Sequence, residues 1–147
     1  MSLVSVVACD TYELEQIRQA VSTLLAPLGG MERFVRPGMR VLLKPNLLSA
    51  TDLEHAVTTH PTVVQAVAEL VQQAGGTVLI GDSPAGPVEQ VYTVWQKSGM
   101  AEVATHTGAT LVLFDSVAWK QLNGRDYLLA RQVFDVDLVI NLPKLKT

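Results

Sequence analysis

The sequence predicts one α/β domain over residues 1–147: a Rossmann-like, doubly wound, mainly parallel sheet with helices on both faces. Three observations lead there. Short β-branched or apolar runs such as "VLL" at 41–43 and "TVLI" at 77–80 lack the alternation of a half-exposed strand and read as strands covered on both sides. Stretches with helical spacing separate these runs, which is the order a parallel sheet requires. Polar residues follow the ends of the strand runs, so one rim of the sheet collects them.

The elements follow in order. "LVSVVAC", residues 3–9, reads as a first, buried strand ending in Cys9, and Asp10 or Thr11 is placed to cap the next helix. Leu14, Ile17, Val21, Leu24, Leu25 and Leu28 recur at helical spacing until Pro27 and Gly29-Gly30 stop the pattern. Pro37-Gly38 makes a turn before a strand over 40–44, and a long polar loop carries His55.

The clearest unit is "TTHPTVVQAVAELVQQAGGTVLIGDSP". Thr59 or His60 caps a helix with Pro61 in its first turn, where a missing N–H costs nothing. Val63, Val64, Val67, Leu70 and Val71 supply its buried stripe, Gly75-Gly76 ends it, and 77–80 is the next strand. Together with 40–44 this is a βαβ unit.

Farther on, Val88, Val91, Tyr92 and Trp95 share a helical face, and Tyr92 and Trp95 are expected in the core. A short helix over 100–106 precedes a strand over 110–115. Asn123-Gly124 is a hairpin turn leading into a strand near 127–130, and a last strand covers 137–142. No internal repeat or low-complexity segment interrupts the chain.

Composition narrows the function. Apolar residues are 48% and charged residues 17% of the chain, and the charged share is below the usual value of about 25%. A formal charge of −3 without a basic run speaks against nucleic acid. No apolar run reaches the roughly 20 residues that span a bilayer, so no membrane role is expected. The single cysteine cannot form an internal disulfide, which predicts a reducing, cytoplasmic setting, and no Cys/His spacing suits a metal. Neither a P-loop nor a G-x-G-x-x-G is present.

Lys44 draws attention because no other Lys or Arg occurs from Pro45 to Gln96. At the end of its strand it would hold an ammonium over the rim, where Lys144 and Lys146 could join it to receive a phosphate or carboxylate. Asp82 would orient that anion or act as a base, and Asn46, His60, Ser83 and Asn141 complete the candidate ligand-binding set. A structural reading stands beside this one: Lys44 paired with Asp82 or Asp115, Asp82-Ser83 serving as a cap and turn, Asn46 and Asn141 tying loop backbone, and His60 serving as a cap.

The segments "RPGMRVLLKPNLL", "TTHPTVVQAVAELVQQAGG" with "VLIGDSPAG", and "DLVINLPKLKT" resemble the domain of unknown function 362, a prokaryotic family often associated with ferredoxin-type [4Fe-4S] modules. The resemblance covers roughly residues 3–147 and includes "VWQKSGMAEVA" between the motifs. It carries the motif positions onto Lys44, Pro45, Asn46, Thr59, His60, Pro61, Gly81, Asp82, Ser83, Asn141, Pro143, Lys144 and Lys146, and assigns no reaction to them. It also implies a longer domain continuing into a histidine, so the chain is expected to be an N-terminal portion. A [4Fe-4S] cluster is then expected only in the full-length protein, with no cofactor in this portion.

The functional expectation is an anion-binding or catalytic half-domain of an iron–sulfur-associated protein. Its rivals are a non-catalytic interaction module with an ion-paired rim, and a remote relative of nickel-cofactor racemases that rests on fold analogy alone. A sheet cut after "NLPKLKT" would leave an open edge or apolar face, so a homo-oligomer is expected.

Overall fold

The computed structural model describes residues 3–145. Strands β1 (Arg40–Pro45), β2 (Thr77–Ile80), β3 (Thr110–Leu111) and β6 (Leu138–Leu142) form one parallel sheet in the order β3-β2-β1-β6. Strands β4 (Val117–Leu122) and β5 (Arg125–Ala130) form a separate antiparallel hairpin. The helices are α1 (Leu14–Leu25), α2 (Pro61–Gln73), α3 (Val91–Lys97) and α4 (Met100–Thr107). The α/β class and the mainly parallel sheet are as the sequence predicts.

The core is built on one side of the sheet. Val41 and Leu43 of β1 and Val78 and Ile80 of β2 pack against Val64, Val67, Ala68 and Val71 of α2, Val94 and Trp95 of α3, and Met100 and Val103 of α4. Alternation along a strand sends neighbouring residues to opposite faces. Leu42 and Leu79, paired in register on the second face, are therefore buried outside this cluster. All four α-helices contribute to the cluster or border it, so the expected helical layer on the second face is not seen among the described residues.

α2 forms as anticipated. The His60 imidazole nitrogen Nδ1 accepts the Thr62 N–H, Pro61 occupies the first turn, and the alanines Ala66 and Ala68 bury alongside the valines. α1 lies beside α2, and Arg18 clasps Glu69 through Nε–Oε2 at 2.5 Å and Nη2–Oε1 at 2.8 Å. That guanidinium holds the Glu69 carboxyl below its ordinary range, against the opposing effect of burial. The pair is partly exposed, so its contribution is modest.

Several expectations are corrected. Residues 3–9 form no strand; Val4 and Val6 are 79% and 86% exposed, and Cys9 is exposed rather than buried. Glu13, not Asp10 or Thr11, is the N-cap residue of α1, while the Thr11 hydroxyl accepts the Glu13 N–H at 3.1 Å. α1 gives way at Ala26 to a 3-10 turn that carries the apolar pattern to Leu28. Tyr92 points to solvent, edge-on to the 6%-exposed Trp95, because the short α3 turns only a narrow face inward. The strand expected over 110–115 pairs only at Thr110–Leu111.

β4 escaped the sequence reading, although the Asn123-Gly124 turn was legible. Both residues have positive φ, 51° and 74°, as a tight two-residue hairpin loop demands. Trp119 stands opposite Leu128 on this hairpin and is 71% exposed.

Candidate functional site

The rim beyond the carboxyl ends of β1, β2 and β6 holds two polar clusters. In the first, Lys44 Nζ lies 2.6 Å from Asp82 Oδ1, and Asp82 Oδ2 accepts the Leu47 N–H at 2.8 Å. Asp82 is buried while the Lys44 side chain is 37% exposed. The carboxylate therefore ties the end of β2 to the end of β1 and to the loop after it. Asp115, the other partner considered for Lys44, instead accepts from Gln132 Nε2 at 2.9 Å.

The second cluster comes from three distant parts of the chain. The Tyr12 and His60 rings stack at 3.8 Å between centroids and 12° between planes. Lys144 Nζ is 3.3 Å from the Tyr12 hydroxyl and 5.9 Å from the ring centroid. Burial, reinforced by the Lys144 charge, pushes the His60 imidazole below its ordinary value. His60 thus favours its neutral form, which its cap to Thr62 also requires, since a protonated ring has no lone pair to offer.

Thr59 joins the clusters. Its hydroxyl accepts the Asn46 N–H at 2.9 Å and donates to the Leu142 carbonyl at 2.6 Å, while its own N–H reaches the Asn46 carbonyl at 3.0 Å. Asn46 Nδ2 donates to the Val57 carbonyl at 3.2 Å, so this side chain ties loop backbone. The bridge fixes the ends of β1 and β6 to the start of α2.

The remaining sequence-predicted residues are less engaged. Asn141 stands beside Lys44 in the β1–β6 register and is exposed, without a side-chain hydrogen bond among the described residues. Ser83 is exposed and borders a cavity of about 40 Å³ with Asp82, Pro84 and Phe114. Lys146 lies outside the described residues. Tyr12 was missed, although it follows the Cys9-Asp10 end of the first strand candidate and so falls on the same rim.

Ion pairing decides which cation is available to a ligand. Among the described residues Lys144 has no carboxylate within 4.0 Å, whereas Lys44 is paired.

The sequence profile described as "Domain of unknown function (DUF362)" matches residues 41–147. The chain belongs to the DUF362 family. A relative, "Thylakoid-associated protein sll1697" of Synechocystis sp. (strain ATCC 27184 / PCC 6803 / Kazusa), is 40% identical over 151 aligned residues, covering 98% of this chain and 45% of that protein. This DUF362 chain thus spans less than half the length of that relative. No solved structure matches it. Among the described residues no helix is long and apolar enough to cross a membrane.

The [4Fe-4S] cluster that the resemblance leads one to expect in the full-length protein finds no fitting donor set in this chain. Such clusters are held by several cysteine thiolates, and the sequence supplies Cys9 alone. Among the described residues no group of three or more His, Cys, Asp or Glu is arranged to hold a metal ion.

Proposed function

We propose that this DUF362 domain binds a small anionic ligand, a carboxylate or phosphate, at the Tyr12–His60–Lys144 cluster. The carrying observation is Lys144, whose ammonium meets a phenol hydroxyl at 3.3 Å and no carboxylate among the described residues. An ammonium and a hydroxyl side by side suit an oxyanion, because both can donate and one supplies charge. Neutral His60 adds an apolar stacking face and a second ring nitrogen. Lys44 and Asp82 shape the rim in this reading, and Asn141 and Ser83 are peripheral to it.

The test is titration of inorganic phosphate and of acetate into the protein, followed by amide chemical shifts. Saturable shifts at Tyr12, His60 and Lys144 that vanish in Lys144→Ala support the proposal. Shifts unchanged by Lys144→Ala overturn it.

A second reading, a non-catalytic interaction module with a structurally closed rim, is favoured by the 2.6 Å Lys44–Asp82 pair. It predicts no saturable anion effect at either cluster. Attachment to an iron–sulfur redox partner belongs to the whole protein in either reading.

A further inference from the structure

We propose that residues 3–9, unpaired in this structure, have a second, docked arrangement in which they add a parallel strand to the free edge of β6 and close the apolar groove beside it. β6 is the terminal strand of the sheet, with β1 on one side and no strand on the other among the described residues. A groove of about 500 Å³ lies along it, walled by Val21, Leu24, Leu25 and Leu28 of the α1 region and floored by Leu138 and Ile140. An open edge with an apolar flank is a site that accepts another strand.

Chain handedness selects the occupant. β1, α2 and β2 form a parallel crossover in which the sheet advances from β1 toward β3, with α2 on the core face. α1 packs beside α2 and sends Val21 and Leu25 against the same core. Crossovers joining parallel strands are right-handed in nearly every case. A strand that precedes α1 and shares its face must therefore lie on the side of β1 away from β2. β6 already holds the adjacent place, so the position left is the outer edge of β6.

The segment is tethered at the correct end. Tyr12, three residues past Cys9, is held by Lys144, two residues past the end of β6. Seven extended residues span roughly 23 Å, more than the roughly 17 Å of a five-residue strand. Carrying the Tyr12–Lys144 offset back along both segments sets Val6 beside Leu138 and Ala8 beside Ile140. Val4, Val6 and Ala8 would then turn toward the groove, which would cover the two valines that the structure leaves most open to water.

Amide exchange reads the docking directly. The Asp137 N–H donates to the Arg40 carbonyl, so by alternation Val139 and Asn141 face β1 while the Leu138 and Ile140 amides face outward. In the intact chain those two outward amides should exchange at least tenfold more slowly than in the double variant Val4→Asp/Val6→Asp. That variant alters only exposed side chains, and an unchanged far-UV circular dichroism spectrum confirms that it folds. Equal exchange rates in the two proteins would overturn the proposal. Protection that appears only with a dimer in light scattering would overturn it as well, since the occupant would then be a second copy.

Discussion

Lys44 Nζ sits 2.6 Å from Asp82 Oδ1, and the other oxygen of the same carboxylate holds the buried Leu47 N–H. The two partners are therefore unequal. Asp82→Ala removes a charge and orphans a buried backbone donor, with an expected loss of about 2–4 kcal/mol. Lys44→Met leaves the buried Asp82 carboxylate without its cation, but the retained Leu47 bond and the solvent that already reaches the Lys44 side chain hold the expected loss to about 1–2 kcal/mol. Urea unfolding of the two variants checks the order, and a larger loss for Lys44→Met would refute it.

Thr59 should matter more than its size suggests. Thr59→Val keeps the shape and deletes the hydroxyl that serves both Asn46 and Leu142. Two backbone groups then lose their partner, and the expected destabilisation is about 2–3 kcal/mol. Faster amide exchange at Asn46 than in the parent protein would show that the loss originates at the rim.

His60 predicts a pH dependence with a definite sign. Its folded-state value lies below that of the unfolded chain, because of burial and then Lys144. The unfolded state therefore binds more protons as pH falls through the ordinary histidine range near 6.5, and the His60 contribution to stability declines there. That contribution is fully present above this range. His60→Asn retains a capping side chain without the titration, so the difference in stability between parent and variant should change from pH 7.5 to pH 5.5, with the parent losing more on acidification. A constant difference would contradict the assignment.

Gly81 follows β2 where two chain segments nearly touch. A Cβ there would lie 2.8 Å from the Val112 carbonyl oxygen and 2.7 Å from Val112 Cγ2. Backbone cannot swing aside as a side-chain tip can, so Gly81→Ala is expected to cost about 1–3 kcal/mol. A thermal melt at neutral pH measures it, and an unchanged midpoint would show that the β2–β3 junction yields easily.

The parts of the fold legible in sequence were those in which local pattern and tertiary packing agree. α2 announces itself through His60-Pro61, a valine stripe and Gly75-Gly76; its start and stop keep their expected places, while Val63 and Leu70 of the stripe stay half-buried and Ala66 and Ala68 are buried instead. Residues 3–9 are legible as β-prone but not as unpaired, because pairing depends on where a neighbouring edge lies. The same distinction applies at the rim. Lys44 and Asp82 were visible as candidates, whereas the choice between binding a ligand and binding each other turns on a separation that no spacing rule contains. Tyr12 illustrates the limit from the other side, since an aromatic residue between a strand pattern and a helix pattern gives no sign of the histidine it stacks against.

The two tryptophans give this protein a pair of independent optical reporters. Trp95, enclosed in the core, should emit at shorter wavelength and resist iodide quenching, while Trp119 on the projecting hairpin should emit as in water and quench readily. A covering of the hairpin would shift the second signal and leave the first unchanged, so intrinsic fluorescence can distinguish an event at that arm from unfolding of the domain.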